Sequence, residues 1–173
     1  LINPMGDPID GKPMDIEGAL WRPVEGPPPG PFERPIITEM FSTGVRAIDS
    51  CLTFGCGQRM GLFAGSGVGK STLLGMIARN SDADVNVVAL IGERGREVKE
   101  FVEDALGPEG MKKSVLVCST GDQPPLIRQK CLLTATAVCE YFRDQGKKVF
   151  LMTDTVTRGA MAGREVGLSI GEP

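Results

Sequence analysis

The stretch Ala64-Gly65-Ser66-Gly67-Val68-Gly69-Lys70-Ser71-Thr72 decides the fold. Its glycines let the backbone curl so that successive N–H groups point inward, where they can hold a phosphate. The residues before it, Arg59-Met60-Gly61-Leu62-Phe63-Ala64, read as a short buried strand. Those after it, Ser71 to Arg79, read as a helix, whose positive N-terminal end would stand behind the phosphates. Strand, glycine turn and helix together are the context that a phosphate-binding loop requires. In that context Lys70 reaches the β- and γ-phosphates and the Ser71 hydroxyl sits on Mg²⁺. Ala64 occupies the position where the G-x-x-x-x-G-K-[ST] pattern has its first glycine, a change the turn can absorb. Gly65, Ser66, Gly67, Val68, Gly69, Lys70, Ser71 and Thr72 are therefore the expected nucleoside-triphosphate contacts.

Outward from the loop, apolar runs of strand length alternate with helical patterns. Gly44 to Leu52 reads as a helix with Val45, Ile48 and Leu52 on one face. Val85 to Ile91 is a continuous apolar run of the kind found in central parallel strands. Arg96 to Leu106 carries Val98, Phe101, Val102, Ala105 and Leu106 at helical spacing and is expected to stop at Gly107-Pro108. Ser114 to Cys118 predicts the next strand, Pro125 to Arg143 a long helix, and Val149 to Met152 a further strand. Arg158 to Ile170 reads as a helix, weakened by Gly159, Gly163 and Gly167 at about 1 kcal/mol each relative to alanine. The alternation predicts an α/β fold with a mostly parallel sheet covered by helices on both faces. In such sheets ligands bind at the carboxyl ends of strands.

Residues 1–37 differ in composition, centred on Gly26-Pro27-Pro28-Pro29-Gly30-Pro31. They read as an extended connector, with a turn at Gly11-Lys12 and Trp21 docking it onto the core of residues 38–173. The 173 residues suffice for one sizeable core, and a net charge of −3 offers no general attraction to nucleic acid or anionic membrane. Leu1-Ile2-Asn3-Pro4 lacks an initiator methionine and the features of a signal peptide, and reads as the middle of a longer chain. Cys51, Cys56, Cys118, Cys131 and Cys139 form no C-x-x-C pair, and histidine is absent. Common zinc sites and Ser-His or Cys-His nucleophiles are thereby excluded, and reduced, mostly buried thiols of a cytoplasmic protein are expected. Acid–base chemistry falls to carboxylates.

Two carboxylates stand where an α/β nucleotide site needs them. Asp154 follows the apolar run Val149 to Met152, the Walker B arrangement that holds Mg²⁺ through its water shell. Glu93, in Gly92-Glu93-Arg94-Gly95-Arg96-Glu97, follows the Val85 to Ile91 strand. It is either the acid that orients a water in line with the γ-phosphate or a surface carboxylate paired with Arg94 or Arg96. Arg94 and Arg158 either stabilise phosphate charge or pair with nearby acids. Glu97 is either an outer-shell metal residue or a solvated helix position.

Several motifs in order carry a resemblance: Thr43-Gly44-Val45-Arg46-Ala47-Ile48-Asp49, Gly57-Gln58-Arg59, the glycine loop, Gly92 to Glu97, Glu140-Tyr141-Phe142-Arg143-Asp144-Gln145-Gly146 and Asp154-Thr155-Val156-Thr157-Arg158. Together they resemble the rotary-type hexameric ATPases, and most closely the type III secretion ATPase group that includes the flagellar export ATPase. The resemblance implies a RecA-like P-loop core, with ATP and Mg²⁺ as cofactors. It implies that Lys70 and Ser71 bind phosphate and metal, that Glu93 is the general base, that Asp154 is the Walker B acid, and that Arg94 and Arg158 lie beside the phosphates. It further implies a cytoplasmic homohexamer peripheral to the inner face of the bacterial membrane. The partners implied are a stalk and regulators, export chaperones and substrates, and a membrane export gate, with no nucleic acid. Thr153, Gly159 and Gly163 depart from the group's usual residues and are expected to loosen the segment after Asp154. The group's N-terminal β-barrel is expected before Leu1, and its trans-acting arginine, adenine pocket and C-terminal helical domain after Pro173. Residues 1–173 alone are accordingly expected to bind nucleotide weakly and to hydrolyse it barely at all. A proton- or sodium-translocating rotary ATP synthase subunit and a Rho-like RNA translocase are the competing readings. The acidic balance, with one Trp and one Tyr, disfavours the RNA translocase.

Overall fold

A computed structural model of the protein describes residues 1–65 and 67–173; Ser66, expected in the phosphate loop, lies outside them. The described helices are α1 (Arg46–Cys51), α2 (Lys70–Asn80), α3 (Gly95–Glu100), α4 (Gly107–Lys112), α5 (Pro125–Asp144) and α6 (Val156–Ser169). The strands are β1 (Val85–Glu93), β2 (Ser114–Thr120) and β3 (Val149–Thr153), in the order β2-β1-β3. Both pairings are parallel, with Val88 opposite Leu116 on one side and Met152 on the other.

From Val87 to Ile91 the strand β1 is apolar because helices cover both of its faces. The buried Asn86 before this run is satisfied by donating to the Ala78 carbonyl at 2.7 Å. Val88 and Leu90 point to a cluster containing Ala78, Val98, Phe101, Leu106, Leu116 and Met152. Val87, Ala89 and Ile91 point the other way, onto Cys131 and Ala135 of α5. The period-2 alternation of a strand thus feeds two cores, one under α2 and α3 and one under α5. Both are fully desolvated: Val87, Val88, Ala89 and Ile91 have no exposed surface. A third, aromatic cluster joins Phe41, Phe54 and Phe150, with the Phe41 and Phe54 rings edge to face at 5.4 Å.

Four local expectations are corrected. Arg59 to Ala64 is not a strand: it is exposed and unpaired, with Phe63 almost wholly in solvent. The physical reason lies in the segment itself: Gly61 interrupts and weakens it as a strand. It does not take up the outer edge of β3, which has no partner strand among the described residues. The first helix is shorter than expected, and Leu52 is exposed rather than on a buried face. The helix after Arg94 does not stop at Gly107-Pro108. It widens into a π-helical turn, Phe101–Leu106, breaks at Gly107 (φ 62°, ψ −179°) and restarts as α4. A proline in the first turn of the new helix forfeits no helical hydrogen bond, so the pair redirects the helix instead of ending it. The widened turn brings Ala105 against α2, where the Arg79 guanidinium donates to its carbonyl.

The fourth correction concerns the connector. Trp21 is 88% exposed and docks nothing; the neighbouring Arg22 does so, pairing with Glu140 at 2.9 Å and Asp144 at 2.7 Å on α5. Residues 1–9 fold back on themselves, with Ile2 bridged to Pro8 and to Val117. The glycines of α6 also have a packing function. Gly159 faces Ile91 of β1 and Gly163 faces Gln129 of α5, each with ordinary contact distance for one added carbon.

Candidate functional site

The carboxyl ends of β1 and β3 lie side by side, and the helix start at Lys70 faces them. Gly67 and Gly69 have φ of 76° and 96°, a left-handed backbone that only glycine adopts without strain. They hand the chain to α2, whose first residue is Lys70. Lys70 Nζ donates to the main-chain carbonyl of Asp154 at 2.9 Å. Gly65, Val68, Ser71 and Thr72 are exposed around that turn.

Asp154 follows the last residue of β3 and continues its ladder, its N–H donating to Ala89 O at 3.2 Å. Its Oδ1 accepts from the Ile91 N–H at 3.1 Å, which ties the side chain to the end of β1. Its Oδ2 is buried and has no hydrogen-bond partner. An orphaned, buried carboxylate oxygen beside a phosphate-loop lysine fits a divalent cation. Among the described residues no group of three or more His, Cys, Asp or Glu gathers as a metal cage. Mg²⁺ needs no such cage, since it is held by one or two carboxylates with phosphates and waters completing its shell.

Glu93 is positioned by a β-bulge. The β1–β2 register runs Ile91 to Ser119 and then Glu93 to Thr120, with Gly92 as the extra residue at φ 66°. A left-handed glycine at a bulge re-aims the residue beside it, and here it brings Glu93 to the β3 side of the site. Arg158 on the first turns of α6 completes the group. Its Nη1 lies 2.7 Å from Glu93 Oε1 and 3.8 Å from Asp154 Oδ2. That Nη1 is buried and not aligned for a hydrogen bond, so the contact is an ion pair held by charge and proximity. Glu93 first, and Asp154 with Glu97 more weakly, hold Arg158 above its ordinary basicity. Gly92 gives the arginine room: a side-chain carbon there would lie 3.2 Å from Arg158 Cδ.

Lys70, Glu93, Asp154 and Arg158 therefore converge. Arg94 does not: it is 74% exposed and its Nη1 binds Glu97 Oε1 at 3.1 Å. Glu97 faces Arg94 and Arg96 on the first turn of α3. The bulge at Gly92 and the carbonyl that anchors Lys70 were not anticipated. A glycine between an apolar run and an acid is the one sequence signal for the first, and the second has none. A cavity of about 220 Å³ lies away from these charges, lined in part by Asn3, Ile9, Cys118 and Ile127. Converging side chains, not concavity, locate the site. No helix among the described residues is long and apolar enough to cross a membrane.

Residues 44–173 match the family described as ATP synthase alpha/beta family, nucleotide-binding domain. The chain belongs to that family. It is 57% identical over all 173 residues to the flagellum-specific ATP synthase of Bacillus subtilis, covering 39% of that protein. It is 52% identical to the type 3 secretion system ATPase of Xanthomonas euvesicatoria, over 94% of this chain and 38% of that one. A prototypical ATPase from the type III secretion system of pathogenic bacteria superposes with a TM-score of 0.92 at 52% identity. That match covers 99% of this chain and 49% of the other. EscN of enteropathogenic E. coli, assembled with its central stalk EscO, superposes at 0.90 over 99% of this chain and 42% of EscN. The chain thus spans about two fifths of the length of these relatives. The expected resemblance to type III secretion ATPases and the parallel α/β P-loop core hold for this member of the ATP synthase alpha/beta family.

Proposed function

We propose that this chain supplies the phosphate-binding half of an ATP-hydrolysing site that powers type III protein export. The convergence of Lys70, Glu93 and Asp154 at adjoining strand ends carries the reading. Binding and hydrolysis need different groups, and both kinds are present. The loop from Gly65 to Thr72 cradles the phosphates with its backbone N–H groups, and Lys70 neutralises the β- and γ-phosphates. Ser71 and Asp154 would hold Mg²⁺, with Glu97 in its outer surroundings. When bound, Mg²⁺ neutralises charge developing on the phosphate oxygens. Glu93 accepts a hydrogen bond from the attacking water and orients it in line with the γ-phosphorus. Arg158 provides positive charge beside the transferring group, whereas Arg94, expected there too, pairs with Glu97 instead.

The similarity to flagellum-specific and type 3 secretion ATPases supports export as the process driven. Hydrolysis then releases chaperones and unfolds substrates at the export gate. The protein works as a cytoplasmic homohexamer peripheral to the membrane; the assembled EscN–EscO structure supports the assembly and its coupling to a stalk. The test is turnover and nucleotide binding by the intact protein. Lys70→Ala is expected to weaken nucleotide binding at least tenfold, about the effect of losing 1.4 kcal/mol. Glu93→Gln is expected to bind nucleotide normally and to lose about 10²–10⁴ in turnover. Unchanged turnover in either variant overturns the reading.

A further inference from the structure

We propose that Arg158 is an internal counter-ion shared by Glu93 and Asp154, competing with a divalent cation for the Asp154 carboxylate. It must change partners before Glu93 and Asp154 can work. The inference rests on the reading of this site as one for a metal–triphosphate complex.

Three observations carry it. Arg158 Nη1 sits 2.7 Å from Glu93 Oε1 and 3.8 Å from Asp154 Oδ2, so one cationic nitrogen serves both acids. That nitrogen is buried, although the side chain as a whole is 41% exposed and has an open path to solvent. Asp154 Oδ2, 3.8 Å from it, has no hydrogen-bond partner. Two largely buried carboxylates, with side-chain exposures of 16% and 9%, both gain from sharing one compensating positive charge. Arg158 provides it. The misaligned geometry matters as well: charge pairing without a directed hydrogen bond holds the arginine less firmly than a bidentate pair would.

The consequence is competition. A divalent cation approaching Asp154 alone meets the guanidinium at the same oxygen and is repelled. A triphosphate offers the guanidinium other oxygens, and its departure frees Asp154 for the metal and Glu93 for water. Gly92 makes the movement possible, because the arginine stem packs against a backbone with no side chain. The arginine thereby makes the site discriminate between free cation and cation bound to triphosphate. It also keeps Glu93 paired, and so away from water, until phosphate arrives.

Binding of Mn²⁺ alone to the intact protein, read by electron paramagnetic resonance without nucleotide, tests this. Arg158→Gln is expected to bind Mn²⁺ more tightly than wild type by about 5- to 150-fold, the usual range of coupling between interacting sites. Arg158→Lys, which keeps the charge, is expected to stay near wild type. Equal Mn²⁺ affinity in wild type and Arg158→Gln, with Mn²⁺–ADP binding that depends on Lys70 in both, overturns the counter-ion proposal and leaves the functional reading standing. Absence of Lys70-dependent Mn²⁺–ADP binding in wild type overturns the functional reading and this proposal with it. Should Arg158→Gln fail to fold, Arg158→Met keeps the aliphatic stem and carries the same comparison.

Discussion

Lys70 Nζ and the carbonyl of Asp154 are hydrogen-bonded across 2.9 Å, although the residues stand 84 positions apart. The bond ties the start of α2 to the end of β3 without using the Asp154 carboxylate. Removing it costs no more than an ordinary hydrogen bond, about 0.5–1.5 kcal/mol. Lys70→Met should therefore unfold close to the wild-type temperature in the absence of nucleotide. With saturating Mg–ADP, wild type should gain about 2.7 kcal/mol at a hundredfold excess over Kd, and the variant should gain far less. Thermal scans with and without nucleotide separate the two effects. Equal nucleotide shifts would remove Lys70 from phosphate binding.

Asp49 ties the chain entering α1 together. Its carboxylate accepts from the Thr43 N–H and hydroxyl, the Ser42 hydroxyl and the Gly44 N–H. Those donors, Thr43 foremost, hold the Asp49 pKa below its ordinary value of 3.8. A depressed carboxylate contributes stability above its unfolded pKa and loses it as pH falls through the folded one. Asp49→Ala should thus lower the melting temperature at neutral pH. The gap to wild type should stay constant above about pH 5 and close below about pH 4. A gap that persists at pH 2 would mean that the bonds matter without the charge.

Two glycine substitutions should have opposite signs. At Gly163 an added carbon meets Gln129 Nε2 at 3.7 Å, an ordinary contact, so Gly163→Ala should gain up to about 1 kcal/mol of helix propensity. At Gly75, on α2, the same carbon would lie 2.5 Å from the Ala105 carbonyl oxygen in the π-helical turn. Backbone cannot step aside cheaply, so Gly75→Ala should lose about 1–3 kcal/mol. Chemical denaturation of both variants measures the contrast. Stabilisation by both would show that α2 and the π-helical turn are less closely packed.

Thiol accessibility reports the core directly. Burial pushes Cys118 up to about 11 and Cys131 and Cys139 up to about 12, so these thiols stay protonated at neutral pH. Cys51 is exposed. A thiol reagent at pH 7.5 should label Cys51 first and reach Cys118, Cys131 and Cys139 only on unfolding. Mass spectrometry of the labelled peptides reads the order, and early labelling of Cys131 would contradict the packing of α5 on the sheet.

Where long patterns agreed, element types were legible from residues alone. The apolar run of β1, the 3.6-residue period of α5 and the glycine loop before α2 each depend on neighbours close in sequence. Local physics is enough to specify them. The fate of Arg59 to Ala64 was not legible, because a strand exists only where the tertiary fold lays it against a partner strand. The same holds for Gly107-Pro108: whether a breaker ends a helix or redirects it depends on what the next turn packs against. Trp21 and Arg22 show the rule for single residues, since the acids on α5 and not the size of the indole decide which one docks.

The residue types and spacing of the glycine loop, Glu93 and Asp154 were enough to mark this chain as a binder of phosphate with acids at strand ends. Chemistry of that kind is written in which atoms are present. Which arginine pairs with which acid was not legible along the chain. Arg158 turns to Glu93 and Asp154, while Arg94 turns away to Glu97, although both arginines lie in charged segments that look alike in sequence. The difference arises because parallel pairing of β1 with β3 and the bulge at Gly92 bring two carboxylates together at a dry sheet end. Among the described residues, Arg158 on the adjoining helix is the cation that ion-pairs with both.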